Sequence, residues 1–93
     1  MATQIPGGWS NFDFTLSPEA KNVFDTAFDG LLGVKYTPFA FATQIVNGTN
    51  YSFLCEAQYM TRYPVENAVA AEVYQPLEGK PHIVAIRPIS PGG

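Results

Sequence analysis

One cysteine, Cys55, and one histidine, His82, are all that the 93 residues hold of those two types. A single thiol closes no internal disulfide, so a secreted mini-protein stapled by bridges is excluded. The same pair is too small a ligand set for a zinc ribbon. Charge is also scarce. Asp, Glu, Lys and Arg make up 14% of the chain, and five Lys+Arg against eight Asp+Glu give a net charge of −3 and a pI near 4.8. No basic run occurs, which argues against nucleic acid and against anionic membrane surfaces as partners. No apolar run approaches the roughly 20 residues that a membrane-spanning helix needs. Met1-Ala2-Thr3-Gln4 carries no positive region and no apolar stretch follows it, so no secretory signal is read and a cytoplasmic location is expected.

What is present points to a packed globule. Apolar residues make up 46% and aromatics 14%, with seven Phe, five Tyr and one Trp. Disordered segments are poorer in aromatics and richer in charge. The length suits one domain, here 1–93, whose core must hold by packing alone.

The clearest element is a helix over 17–31. Ser17 is a good N-cap, Pro18 fits the first helical position, and Glu19 complements the helix dipole. Ala20, Val23, Phe24, Ala27, Phe28 and Leu31 recur on one helical face, and Glu19, Lys21, Asn22, Asp25, Thr26 and Asp29 fill the other. Gly30 and Gly33 both offer a stop.

From Tyr36 the period changes to two. Phe39, Phe41, Thr43 and Ile45 share one face of a first strand; Ala40, Ala42, Gln44 and Val46 share the other. Asn47-Gly48 is a strong hairpin signal, because both central residues of a type I′ turn take positive φ. A second strand runs from about Thr49 to Tyr59, a third from Ala68 to Gln75, and a fourth from His82 to Arg87. Pro76 to Pro81 form a turn between two prolines. Residues 1–11 read as an extended arm with Trp9 near its root, where it can pin the arm or touch a partner; 89–93 read as a flexible tail. One helix and four antiparallel strands make an α+β domain of two layers, with the helical stripe laid across the aromatic face of the sheet.

Gln44-Ile45-Val46-Asn47-Gly48-Thr49-Asn50-Tyr51 resembles the Gln-x-Val-x-Gly signature of cystatins, in the Gly-Thr-Asn-Tyr form that stefins carry. Ile5-Pro6-Gly7-Gly8 is similar to the start of stefins. Val73-Tyr74-Gln75-Pro76-Leu77 sits where they have a strand leading into a Leu-Pro turn. The likeness spans nearly the whole chain in the order arm, helix, hairpin, hairpin. It departs from the pattern in the second loop, which reads Pro76-Leu77 instead of Leu-Pro, and in the C-terminal segment, which is longer in stefins.

This resemblance implies a cystatin-like fold with a short additional N-terminal strand. It implies a reversible, non-covalent, tight-binding inhibitor of papain-like cysteine proteases. The protease-binding residues carried over are Ile5, Pro6 and Gly7 or Gly8 in the arm, Gln44, Ile45, Val46, Asn47 and Gly48 in the first hairpin, and Pro76 and Leu77 in the second loop. The arm and both loops would occlude the protease cleft without offering a peptide bond for attack.

No catalytic residue, metal ligand or cofactor is assigned. Cys55 shares a strand face with Tyr51 and Phe53, where a thiol is inert core. Asp25 and Asp29 lie on the polar face of the helix. Asn47-Gly48-Thr49 and Asn50-Tyr51-Ser52 match the N-glycosylation pattern, and without a signal segment both matches are idle. The chain is expected to be a monomer. The alternatives are a non-inhibitory protein-binding module on the same scaffold and a domain-swapped dimer hinged at Val46 and Asn47.

Overall fold

The computed structural model describes residues 8–62 and 66–89. Helix α1 spans Pro18–Ala27. The Ser17 backbone is extended, and its Oγ accepts from the Ala20 amide at 3.1 Å. The helix ends earlier than the apolar stripe suggests. The Phe28 amide donates to the Phe24 carbonyl, and then Gly30 (φ 84) turns the chain, leaving Leu31 exposed. Of the two candidate stops, the first glycine acts.

Four strands follow: β1 (Val34–Val46), β2 (Gly48–Tyr59), β3 (Glu66–Gln75) and β4 (His82–Pro88). They form one antiparallel sheet in the order β1-β2-β3-β4. The register is regular except at two bulges. Pro38 pairs with Cys55 and Ala40 with Leu54, so Phe39 is an extra residue in β1. Phe39 is therefore 38% exposed and does not continue the aromatic row of Phe41. Beyond it, Phe41 lies opposite Phe53 on the helix face. The second bulge lies in the β3–β4 pairing, where Glu72 faces Ala85 and Val73 faces Ile83, leaving Val84 exposed.

The core sits between α1 and one sheet face. Ala20, Val23 and Phe24 pack on Tyr51, Phe53, Cys55 and Ala57 of β2 and on Val69, Ala71 and Val73 of β3. Phe24 stacks on Phe28 with ring centroids 4.1 Å apart and meets Phe53 edge-on at 5.2 Å; Tyr51 and Phe53 lie parallel at 5.5 Å. Each fully buried Phe is worth roughly 1.5–3 kcal/mol, which is how the fold stands without a disulfide. Tyr51 also donates from its hydroxyl to Glu19 Oε1 at 3.3 Å, linking sheet to helix.

The segment before the helix runs antiparallel along the outer edge of β1. It makes two isolated bridges, Trp9 with Gln44 and Asp13 with Phe41, in place of a continuous strand. The Ser10 amide donates to the Thr43 carbonyl, the Thr43 amide donates to Ser10 Oγ, and Asp13 and Phe41 exchange amide–carbonyl bonds. That covers part of an edge that would otherwise be open for pairing. Among the described residues no helix is long and apolar enough to cross a membrane.

Candidate functional site

Topology brings three pieces of chain to one end of the sheet. The β1–β2 turn and the β3–β4 turn lie side by side there, because Thr49 at the start of β2 pairs with Gln75 at the end of β3. The bridges of the N-terminal segment step from Phe41 to Gln44 as the chain is followed back from Asp13 to Trp9, so the root of the arm reaches the same end. Apolar side chains are left in solvent at this end: Trp9, Ile45, Val46 and Leu77, the last 76% exposed.

The first turn is tighter than the sequence suggests. Val46 pairs with Gly48, and Asn47 alone forms the tip. A type I′ turn would need positive φ at Asn47 as well. Only Gly48 has it, at φ 106, so the type I′ expectation is corrected. Gly48 is also buried against β3. A Cβ there would lie 2.5 Å from the Gln75 carbonyl oxygen and 2.9 Å from the Tyr74 hydroxyl. Behind the tip, Asn50 Nδ2 donates to Gln44 Oε1 at 2.9 Å.

The second loop is held by its own strand. Gln75 Nε2 donates to the carbonyls of Pro76 at 2.9 Å and Gly79 at 3.0 Å, closing the 76–79 turn under Leu77. Tyr74 donates from its hydroxyl to the Asn47 carbonyl, across β2. Its ring meets that of His82 edge-on at 5.7 Å. Sequence reasoning assigned no role to Tyr74 or Gln75, and only the strand order reveals what they reach.

Of the residues singled out from sequence, Gln44, Ile45, Val46, Asn47, Gly48, Pro76 and Leu77 are gathered at this end. Ile5, Pro6 and Gly7 lie outside the described residues, as do 90–93 of the expected tail; Gly8 is a half-buried bend next to Trp9. Trp9 makes a backbone bridge to Gln44. Its 45% exposed side chain borders a hollow of about 210 Å³ with Asn50, Glu72 and Val84 on the sheet face away from the helix.

A larger cleft, about 570 Å³, lies between the helix and the first half of β1, lined by Phe14, Leu16, Phe24, Tyr36 and Phe39 with Lys21 and Asp25 at its side. Cys55 is fully buried beneath the helix, and burial pushes its thiol pKa up to about 12. The row of His82 crosses β2 at Asn50, roughly 17 Å along the strand from Cys55. The two never meet. Tyr51 is raised to about 12 by burial first, then by the negative charge of Glu19 and the hydrogen bond to it. Among the described residues no cluster of His, Cys, Asp and Glu could hold a metal ion.

Comparison with family models, with curated proteins and with solved structures finds no match.

Proposed function

We propose that this chain is a reversible, non-covalent inhibitor of papain-like cysteine proteases that fills the active-site cleft with its arm and two loops. One observation carries the reading: the arm root, the Gln44–Gly48 tip and the Pro76–Leu77 loop converge at one end of the sheet with exposed apolar side chains. These are the three pieces through which the stefin-like sequence would act. Val46 and Leu77 supply apolar contact to the walls of a groove. Tight turns held by a sheet lose little entropy on binding, so their contacts convert more fully into affinity. In this reading Ile5 and Pro6 occupy substrate subsites, and Gly7 or Gly8 bends the arm away from the protease thiol. Nothing is cleaved, and the inhibitor contributes no nucleophile, acid or metal.

The test is a titration of active-site-counted papain, read by residual hydrolysis of a fluorogenic peptide. Inhibition that saturates near one to one and reverses with competing substrate is expected. Folded protein that leaves papain and a panel of related proteases fully active at micromolar concentration would overturn the reading, and would turn the search to a different protein partner for the same end of the sheet.

A further inference from the structure

The last rung between β2 and β3 is Thr49 with Gln75. The end of the first hairpin, from Val46 to Gly48 with Asn47 at its tip, overhangs that rung as a two-stranded ribbon, and such a ribbon alone is marginally stable in water. One side chain reaches it from β3. Tyr74 faces Asn50 in register, and its hydroxyl spans β2 to donate to the carbonyl of Asn47, the single residue of the tip. Gly48 is the notch that admits it, since a Cβ there would stand 2.9 Å from the Tyr74 hydroxyl and 3.1 Å from Cε1. The ring is braced edge-on by His82 of β4. The adjacent residue, Gln75, closes the second loop through two backbone carbonyls.

We propose that Tyr74 is a positioning residue, clasping the first hairpin to the strand that carries the second loop so that both loops present one rigid edge. The clasp follows from the geometry of this chain; its value for inhibition rests on the function proposed above. Tyr74→Phe is the discriminating variant, because it keeps the ring and its packing on His82 and removes only the hydroxyl donor.

Two readouts separate the clasp from general stability and from the functional reading. Amide hydrogen exchange is followed by NMR in the wild-type protein and in Tyr74→Phe. Exchange at Gly48 and Thr49, the ladder residues next to the tip, should quicken about three- to tenfold, the equivalent of one neutral hydrogen bond, with Phe53 and Val73 unchanged. In parallel, dissociation from papain should quicken by a similar factor. The loss caused by Val46→Ala should shrink in the Tyr74→Phe background, while the loss caused by deleting residues 1–8 should not.

Gly48 and Thr49 amides that exchange at the wild-type rate overturn the clasp. So does a uniform rise that includes Phe53 and Val73, since that is loss of global stability. Dissociation left unchanged, from a protease that the wild-type protein inhibits, overturns its role in binding. If the wild-type protein inhibits no papain-like protease while the Gly48 and Thr49 amides still respond, the clasp stands and the functional reading alone falls.

Discussion

Replacing Gly48 by alanine tests how the first hairpin is built, and Gly30→Ala supplies its control. Both glycines have positive φ, 106 and 84. A Cβ on such a backbone costs about 1–2 kcal/mol for conformation alone. At Gly30 nothing lies within 4 Å of the added atom, so the cost ends there. At Gly48 the atom would stand 2.5 Å from the backbone oxygen of Gln75 and 2.9 Å from the Tyr74 hydroxyl. The first obstacle is backbone held in the β2–β3 ladder, so relief requires the strands to part or the tip to shift. Overpacking of that kind adds about 1–3 kcal/mol.

Gly48→Ala should therefore cost about 2–5 kcal/mol, a large share of the 5–15 kcal/mol typical of a domain. The midpoint of thermal unfolding should fall by roughly 8–40 °C, against about 4–16 °C for Gly30→Ala. Urea unfolding followed by far-UV circular dichroism reads the difference, with an unchanged denaturant slope guarding against loss of two-state behaviour. Adding Tyr74→Phe should recover only a small part, because it removes the hydroxyl and leaves the Gln75 oxygen. If Gly48→Ala is no more destabilising than Gly30→Ala, the close approach of the tip to β3 is wrong, and with it the argument that the tip is braced from that side.

Further outcomes can be checked directly. Cys55 should be inert to an aromatic disulfide reagent in the native protein and react once per chain in denaturant; native reactivity would contradict its burial beneath α1. Stability should be intact below pH 9 and fall between about pH 9 and 12, because the thiol of Cys55 and the phenol of Tyr51 stay protonated to about 12 in the fold but ionise from about 9 and 10 in the unfolded chain. The fall in Tm from pH 8 to pH 11 should therefore be smaller in a Cys55→Ala, Tyr51→Phe double variant than in the wild-type protein. Leu77→Ala should weaken inhibition of papain, by less than deletion of residues 1–8 does; the reverse order, read from inhibition constants, would move the main contact from the arm to the second loop.

The helix start, the four strands and the hairpin at Asn47-Gly48 were legible because each rests on local chemistry: a cap, a 3.6-residue stripe, a two-residue alternation, a turn dipeptide. What escaped the sequence is non-local or masked by chemical similarity. Phe39 and Phe41 look like one alternating row, and nothing in two identical side chains marks a bulge between them. Only the pairing of Pro38 with Cys55 and Ala40 with Leu54 exposes it. The helix end was ambiguous because two glycines follow the stripe at similar distances. The Gly48 turn was read from its φ preference, whereas its tighter constraint comes from Tyr74 and Gln75 in another strand. Tyr74 reads as an ordinary strand residue until the order of β1, β2 and β3 is known, since its acceptor lies 27 positions away.

Exposure by itself does not single out the loop end. Leu31, Leu32 and Met60 are also in solvent, at the opposite end, where the helix–β1 and β2–β3 connections lie. At that end the chain is held by backbone bonds, Met60 to Gly33 and Leu31 to Phe28; at the loop end side chains join separate segments. At the loop end, Tyr74 ties the tip that carries Val46, Gln75 closes the turn that carries Leu77, and the bridge to Gln44 fixes Trp9. Binding rewards apolar groups whose geometry is already fixed, because the entropy of ordering them is not charged against the complex. Apolar groups from three separate segments, joined by bonds between those segments, are therefore the feature on which the proposed function rests at this end.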